Sequence, residues 1–96
     1  MTIKEELIKK KVKIKKIAAK HGAYDIRIFG SISRENENQD SDIDLLVKTQ
    51  EKTSPWFPGG LISDLENMLG KKVEVVTETG LNKLIRDQVL KEAIAL

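Results

Sequence analysis

Two short stretches of alternating residues do most to limit what this chain can fold into. In Tyr24-Asp25-Ile26-Arg27-Ile28-Phe29 and in Asp42-Ile43-Asp44-Leu45-Leu46-Val47, apolar side chains recur at every second position, and alternate side chains of a strand share a face. Ile43, Leu45 and Val47 then point toward a core, while Asp42 and Asp44 stand together on the opposite face. Neighbouring carboxylates repel each other unless a cation lies between them. Mg²⁺ is the natural cation, because it takes oxygen ligands and is commonly held by one or two carboxylates together with substrate phosphates. The acid pair therefore implies a phosphate-bearing ligand.

The first stretch supplies the phosphate side, since it runs directly into Gly30-Ser31. A glycine lets backbone approach a ligand closely, a serine offers a hydroxyl and can cap a short helix, and helix N-terminal amides attract anions. Arg34, one turn later, is placed to reach a phosphate. No Gly-x-x-x-x-Gly-Lys-Ser/Thr occurs in the chain, which disfavours a P-loop ATPase. Taken singly, the glycine pair reads as an ordinary turn and the acids as the solvated face of an edge strand. Together, on two strands of matching alternation, they read as one site.

At this point the residues resemble the minimal nucleotidyltransferase domains of the DNA polymerase β-like superfamily, whose signature is Gly-Ser, about ten residues, then Asp-x-Asp. Ser31-Ile32-Ser33-Arg34 is similar to that family's Gly-Ser-x-Ala/Ser-Arg continuation, and Ser41-Asp42-Ile43-Asp44-Leu45-Leu46-Val47 to its Ser-Asp-x-Asp-Leu-x-Val strand. Leu69-Gly70-Lys71-Lys72-Val73-Glu74-Val75-Val76-Thr77 resembles its third strand, and Arg86-Asp87-Gln88-Val89-Leu90-Lys91-Glu92-Ala93 its closing helix. The resemblance implies an α+β, polymerase β-like fold with a small mixed sheet and helices packed on one face. It also implies transfer of a nucleoside monophosphate, with Asp42 and Asp44 as catalytic and metal-holding acids. Gly30, Ser31 and Arg34 would bind the nucleotide, one or two Mg²⁺ ions would be the cofactor, and ATP the substrate.

The family takes a third carboxylate, usually Asp, from its third strand, and the matching position here is Glu74, a departure. Alternation supports the placement, because Val73 and Val75 would face the core and turn Glu74 to the side of Asp42 and Asp44. Glu74 is thus expected as the third catalytic and metal-holding acid, able to bind a metal or accept a proton from the attacking hydroxyl. Its one extra methylene leaves a solvated strand residue as the competing reading.

With 96 residues the chain suits one small domain, residues 1–96, and leaves no room for a separate substrate domain. A second protein is therefore expected to bring the acceptor. The resemblance implies which: such domains are commonly antitoxins paired with a HEPN-domain toxin, an RNase, whose tyrosine the antitoxin adenylylates. The alternatives are an antitoxin that neutralises by binding alone and a basic nucleic-acid-binding module. Cysteine is absent, no apolar run is long enough to span a membrane, and Met1-Thr2-Ile3-Lys4-Glu5-Glu6 lacks the apolar core of a signal peptide, so a cytoplasmic protein with no membrane partner is expected.

Charge is unevenly spread, with eight lysines against Glu5 and Glu6 in residues 1–21 and nine basic against thirteen acidic residues in the remainder. Thr2 can cap an opening helix in which Ile3, Leu7, Ile14, Ile17 and Ala18 share a face; Lys10 falls on that stripe and is expected to snorkel, while Ile8, Val12 and Ala19 form a second apolar strip. A lysine-rich helix without interleaved aromatics is weak evidence for nucleic-acid recognition, so direct binding is disfavoured and a solvated face preferred.

Residues 50–60 form the one long loop-like stretch, with two prolines and two glycines. Its Trp56 and Phe57 could stack on a nucleobase or anchor a partner, but local packing against the sheet edge is the preferred expectation. Gly70 sits where a left-handed helix C-cap is expected. His21, without a second histidine, reads as cap chemistry, and Tyr24 as a core residue on the face of Ile26 and Ile28. The expected order is helix, strand, short helix, strand, helix, strand, then one or two closing helices.

Overall fold

The structure, a computed structural model, describes residues 2–34 and 42–96. It opens with α1 (Ile3–Lys9) and α2 (Lys11–Lys20), followed by β1 (Ala23–Phe29) and β2 (Ile43–Thr49). Then come α3 (Gly59–Leu69), β3 (Val73–Thr77), a 3₁₀ turn at Glu78–Gly80, α4 (Lys83–Glu92) and a two-residue β4 (Ile94–Ala95). The four strands form one mixed sheet in the order β3-β2-β1-β4. β2 pairs antiparallel with β1 and parallel with β3, and β4 closes the far edge antiparallel to β1. Here α3 is the crossover that a parallel neighbour requires.

The opening helix begins as its sequence predicts. The Thr2 hydroxyl accepts from the Glu5 amide at 3.1 Å while Glu5 Oε1 accepts from the Thr2 amide at 3.2 Å, a reciprocal capping box. It is not one helix, however, for Lys10 (φ −97°, ψ 11°) separates α1 from α2. Ile3, Leu7, Ile14 and Ala18 are still buried, and Lys10 meets Glu6 at 3.1 Å instead of crossing the apolar stripe unpaired. The second strip stays largely outside the core, with Ile8 and Val12 exposed.

One face of the sheet carries the main core. Ile28, Ile43, Leu45, Val47, Val73 and Val75 meet Leu7, Ile14 and Ala18 of the first two helices and Leu61, Leu65 and Leu69 of α3. Gly70 ends α3 in the left-handed conformation (φ 68°, ψ 23°), with its N–H bonded to the Glu66 carbonyl. The opposite face carries a smaller cluster in which Leu46 meets Leu81 and Val89, with Phe29 and Val76 beside them. α4 therefore lies against part of that second face and leaves its far end to charged side chains.

Tyr24 departs from its expected place. Tyr24 pairs with Lys48 and Arg27 with Leu46, so β1 spends one more residue than β2 over the same span. This bulge, with Asp25 at φ 52°, reverses the alternation. Ala23 rather than Tyr24 then joins Ile26 and Ile28 in the core, and Tyr24 is exposed.

Candidate active site

The parallel register of β2 and β3 sets Asp44 opposite Glu74, one step from the core pair Ile43 and Val73. Because paired strand residues point to the same face, both acids stand on the face away from α1–α3, as alternation predicts. The Asp44 carboxyl is pushed up from 3.8 to about 6. Partial burial is the first cause, followed by the negative charges of Glu74 and Asp42 and a hydrogen bond to the Glu74 side chain, with Arg34 pulling the other way. The three acids are thus close enough to feel one another, and Asp44 carries the strain of the group.

Gly30 is shaped by the same carboxylate. It follows Phe29, the residue paired with Asp44, at φ 77°, and a Cβ there would stand 2.5 Å from Asp44 Oδ2. Only glycine permits both that conformation and that approach. Residues 31–34 after it form a turn, in which the Arg34 amide and the Ser33 hydroxyl both donate to the Gly30 carbonyl, at 3.2 and 2.8 Å; the rest of the stretch where a short helix is expected lies outside the described residues. Ile32, fully buried, ties this turn to the core.

An all-oxygen donor set crowded with like charge fits a hard cation such as Mg²⁺. Among the described residues no three acidic, imidazole or thiol side chains already surround a point where an ion could sit. Asp42, Asp44 and Glu74 thus share a face without yet converging on one ion position, and an ion there would need ligand oxygens as well.

A model described as nucleotidyltransferase domain matches residues 5–96 of the chain. The chain belongs to this nucleotidyltransferase family. Two relatives bear on it: a candidate protein adenylyltransferase of Methanocaldococcus jannaschii is 40% identical over 84 residues, covering 88% of this chain and 90% of the relative. The protein adenylyltransferase MntA of Thermococcus cleftensis is 34% identical, covering 83% and 81%. A solved candidate minimal nucleotidyltransferase superposes with a TM-score of 0.85 at 39% identity, covering 99% of this chain and 97% of that one. A toxin–antitoxin crystal structure with AMP-PNP shares the fold, with a TM-score of 0.72 at 20% identity over 98% of this chain and 72% of that one.

Within this nucleotidyltransferase, the residues singled out from the sequence fall into two groups. Asp42, Asp44, Glu74, Gly30 and Arg34 gather at one end of the sheet, with Ser31 in the turn beside them. Arg34 is half-exposed and its Nη1 donates to Glu92 Oε2 of α4 at 3.2 Å, a partner 58 residues away that sequence reasoning missed. The i,i+4 spacing of Gln88 and Glu92 is visible in the sequence, and Gln88 does donate to Glu92 Oε1 at 3.2 Å, but no local pattern announces the link to Arg34.

The other group lies past the opposite end of β2. His21 does more than cap a helix, for its ring nitrogens meet Ser54 Oγ at 2.6 Å and Asp64 Oδ2 at 2.8 Å and clasp the 50–60 loop to α3. Phe57 packs against the core as expected, but Trp56, at φ 66°, is 89% exposed and touches no sheet edge. From Asp44 to Thr49 the strand advances about 16 Å, and the loop that carries Trp56 starts from that far end.

Proposed function

We propose that residues 1–96 act as one minimal nucleotidyltransferase unit that moves AMP from ATP to a tyrosine hydroxyl of a HEPN-domain toxin and so silences it. The observation that carries the reading is the acid group of Asp42, Asp44 and Glu74, forced together on one sheet face beside the Gly30 turn. Support comes from two relatives named for protein adenylylation and from the fold shared with a toxin–antitoxin structure. The lack of cysteine, and of any described helix long and apolar enough to cross a membrane, supports action in the cytoplasm.

The residues divide the work as follows. Gly30 brings backbone close to the triphosphate, Ser31 offers its hydroxyl to the β- and γ-phosphates, and Arg34 offers guanidinium N–H donors. Asp42, Asp44 and Glu74 would hold one or two Mg²⁺ ions. When bound, Mg²⁺ neutralises phosphate charge and polarises the phosphorus centre. The acceptor oxygen forms a bond to the α-phosphorus as the bond to the bridging oxygen breaks, pyrophosphate carries away that electron pair, and Glu74 takes the hydroxyl proton. Positioning and charge neutralisation supply most of the acceleration in such transfers.

The test is to incubate the chain with Mg²⁺, ATP labelled at the α-phosphate and the product of the neighbouring gene, alongside the Asp42→Asn, Asp44→Asn double variant. Label on the toxin only with intact acids is the expected result. A stable complex without label would instead establish neutralisation by binding alone, with glutamate at position 74 the first residue to restore to aspartate.

A further inference from the structure

Arg34 is tied back to the closing helix by a side chain that the transfer reaction does not itself need. Glu92 is the last residue of α4, and its two carboxylate oxygens divide between neighbours: Oε1 accepts from Gln88 and Oε2 from Arg34, each at 3.2 Å. Its position is set by backbone as well, because two residues later Ile94 pairs with Ile28, which lies two residues before Gly30. The C-terminal segment thus brings a fixed carboxylate to the side of the Gly30 turn. Glu92 is only about a quarter exposed, whereas the Arg34 side chain is nearly half exposed.

We infer that Glu92 is a positioning residue for the nucleotide site: it holds the Arg34 guanidinium beside the acid group and aimed at bound triphosphate. This rests on the nucleotidyltransferase reading and deepens it. An untethered arginine samples many rotamers, and that side-chain entropy is lost when it is fixed on a phosphate. A carboxylate that already restrains it removes part of that loss before the nucleotide arrives. Arg34 has five N–H donors, and among the described residues its hydrogen bond to Glu92 engages a single nitrogen, leaving further N–H groups for phosphate oxygens.

A competing role is opposite in sign, since a carboxylate that occupies Arg34 could hold it away from phosphate and weaken binding. The two are separated by a double-mutant cycle on Mg·ATP affinity, measured by titration calorimetry with the chain alone and therefore independent of any acceptor protein. Glu92→Gln keeps the shape and removes the charge. With Arg34 present it should weaken Mg·ATP binding by about 10-fold, in the range of lost supporting contacts. In an Arg34→Ala background the same change should alter affinity less than about twofold, because distant effects add and coupled ones do not. Gln88→Ala, which loosens Glu92 without touching its charge, should give a smaller loss that also vanishes without Arg34.

Equal losses in both backgrounds would overturn the inference and leave Glu92 a merely structural residue. Tighter binding in Glu92→Gln would overturn it in favour of the competing role. Absence of Mg·ATP binding by the unaltered chain would overturn the nucleotide reading and this inference with it, whereas binding with additive losses would overturn the inference alone.

Discussion

The same face of β2 ends in two opposite electrostatic arrangements. At one end Asp42 and Asp44 face Glu74, and Asp44 is driven up to about 6 by burial and by its neighbours. At the other end charges of both signs interleave: Asp25 meets Arg27 at 3.0 Å and Lys48 at 3.4 Å, and Lys48 lies 3.9 Å from Glu78. Leu46 and its apolar neighbours separate the two. One strand thus carries a balanced end and a crowded end, and the crowded end is the one proposed to take a cation.

The largest effect should follow from breaking the crowded end. Asp44→Asn should lower label transfer by about 100-fold, since a carboxylate proposed to hold the metal is lost. Its melting temperature should stay level or rise, because a repelling charge has been removed. Transfer within threefold of the unaltered chain would refute the assignment.

Gly30→Ala should come next. With φ at 77° and a Cβ placed 2.5 Å from Asp44 Oδ2, the substitution should cost about 1–3 kcal/mol in urea unfolding and disable transfer as well. An unchanged denaturation midpoint would show that the turn can relax away from the acids.

The pH dependence sharpens the comparison further. Folding raises the Asp44 carboxyl from 3.8 to about 6, so between those values the folded chain binds more protons than the unfolded one. Stability should therefore be highest at the acid side of that window and decline as pH rises through about 6, until the group is fully ionised in both states. Chemical denaturation across this range should show the decline in the unaltered chain, lose it in Asp44→Asn, and show it flattened by Mg²⁺. The smallest effect belongs to the balanced end: Lys48→Gln should change stability by no more than about 1 kcal/mol and leave transfer intact. A larger loss of activity there would mean that the two ends are coupled.

What was legible in the sequence is whatever strand periodicity controls. Alternation placed Asp42, Asp44 and Glu74 on one face because parallel pairing keeps facing residues in step, and the Thr2 and Gly70 caps are local chemistry written in a few residues. Tyr24 went wrong for an equally physical reason. A one-residue bulge inverts every assignment upstream of it, and nothing about Asp25 as a residue type announces φ 52°. The short β4 strand, the His21 clasp and the Arg34–Glu92 pair each depend on partners far away in sequence. Local packing is the sequence expectation for Trp56, and its side chain stands exposed instead, two residues from the Ser54 end of the clasp.

That outward side chain decides how the molecule can be watched. Trp56 is the one tryptophan of the chain, and it is bathed in solvent while the fold is intact. Its emission should resemble that of free indole from the start, so core melting would pass almost unseen by fluorescence and must be followed through backbone dichroism. For the same reason the dye is quiet where a partner has yet to bind: a shift of its emission to the blue on mixing would report that the 50–60 loop has been covered.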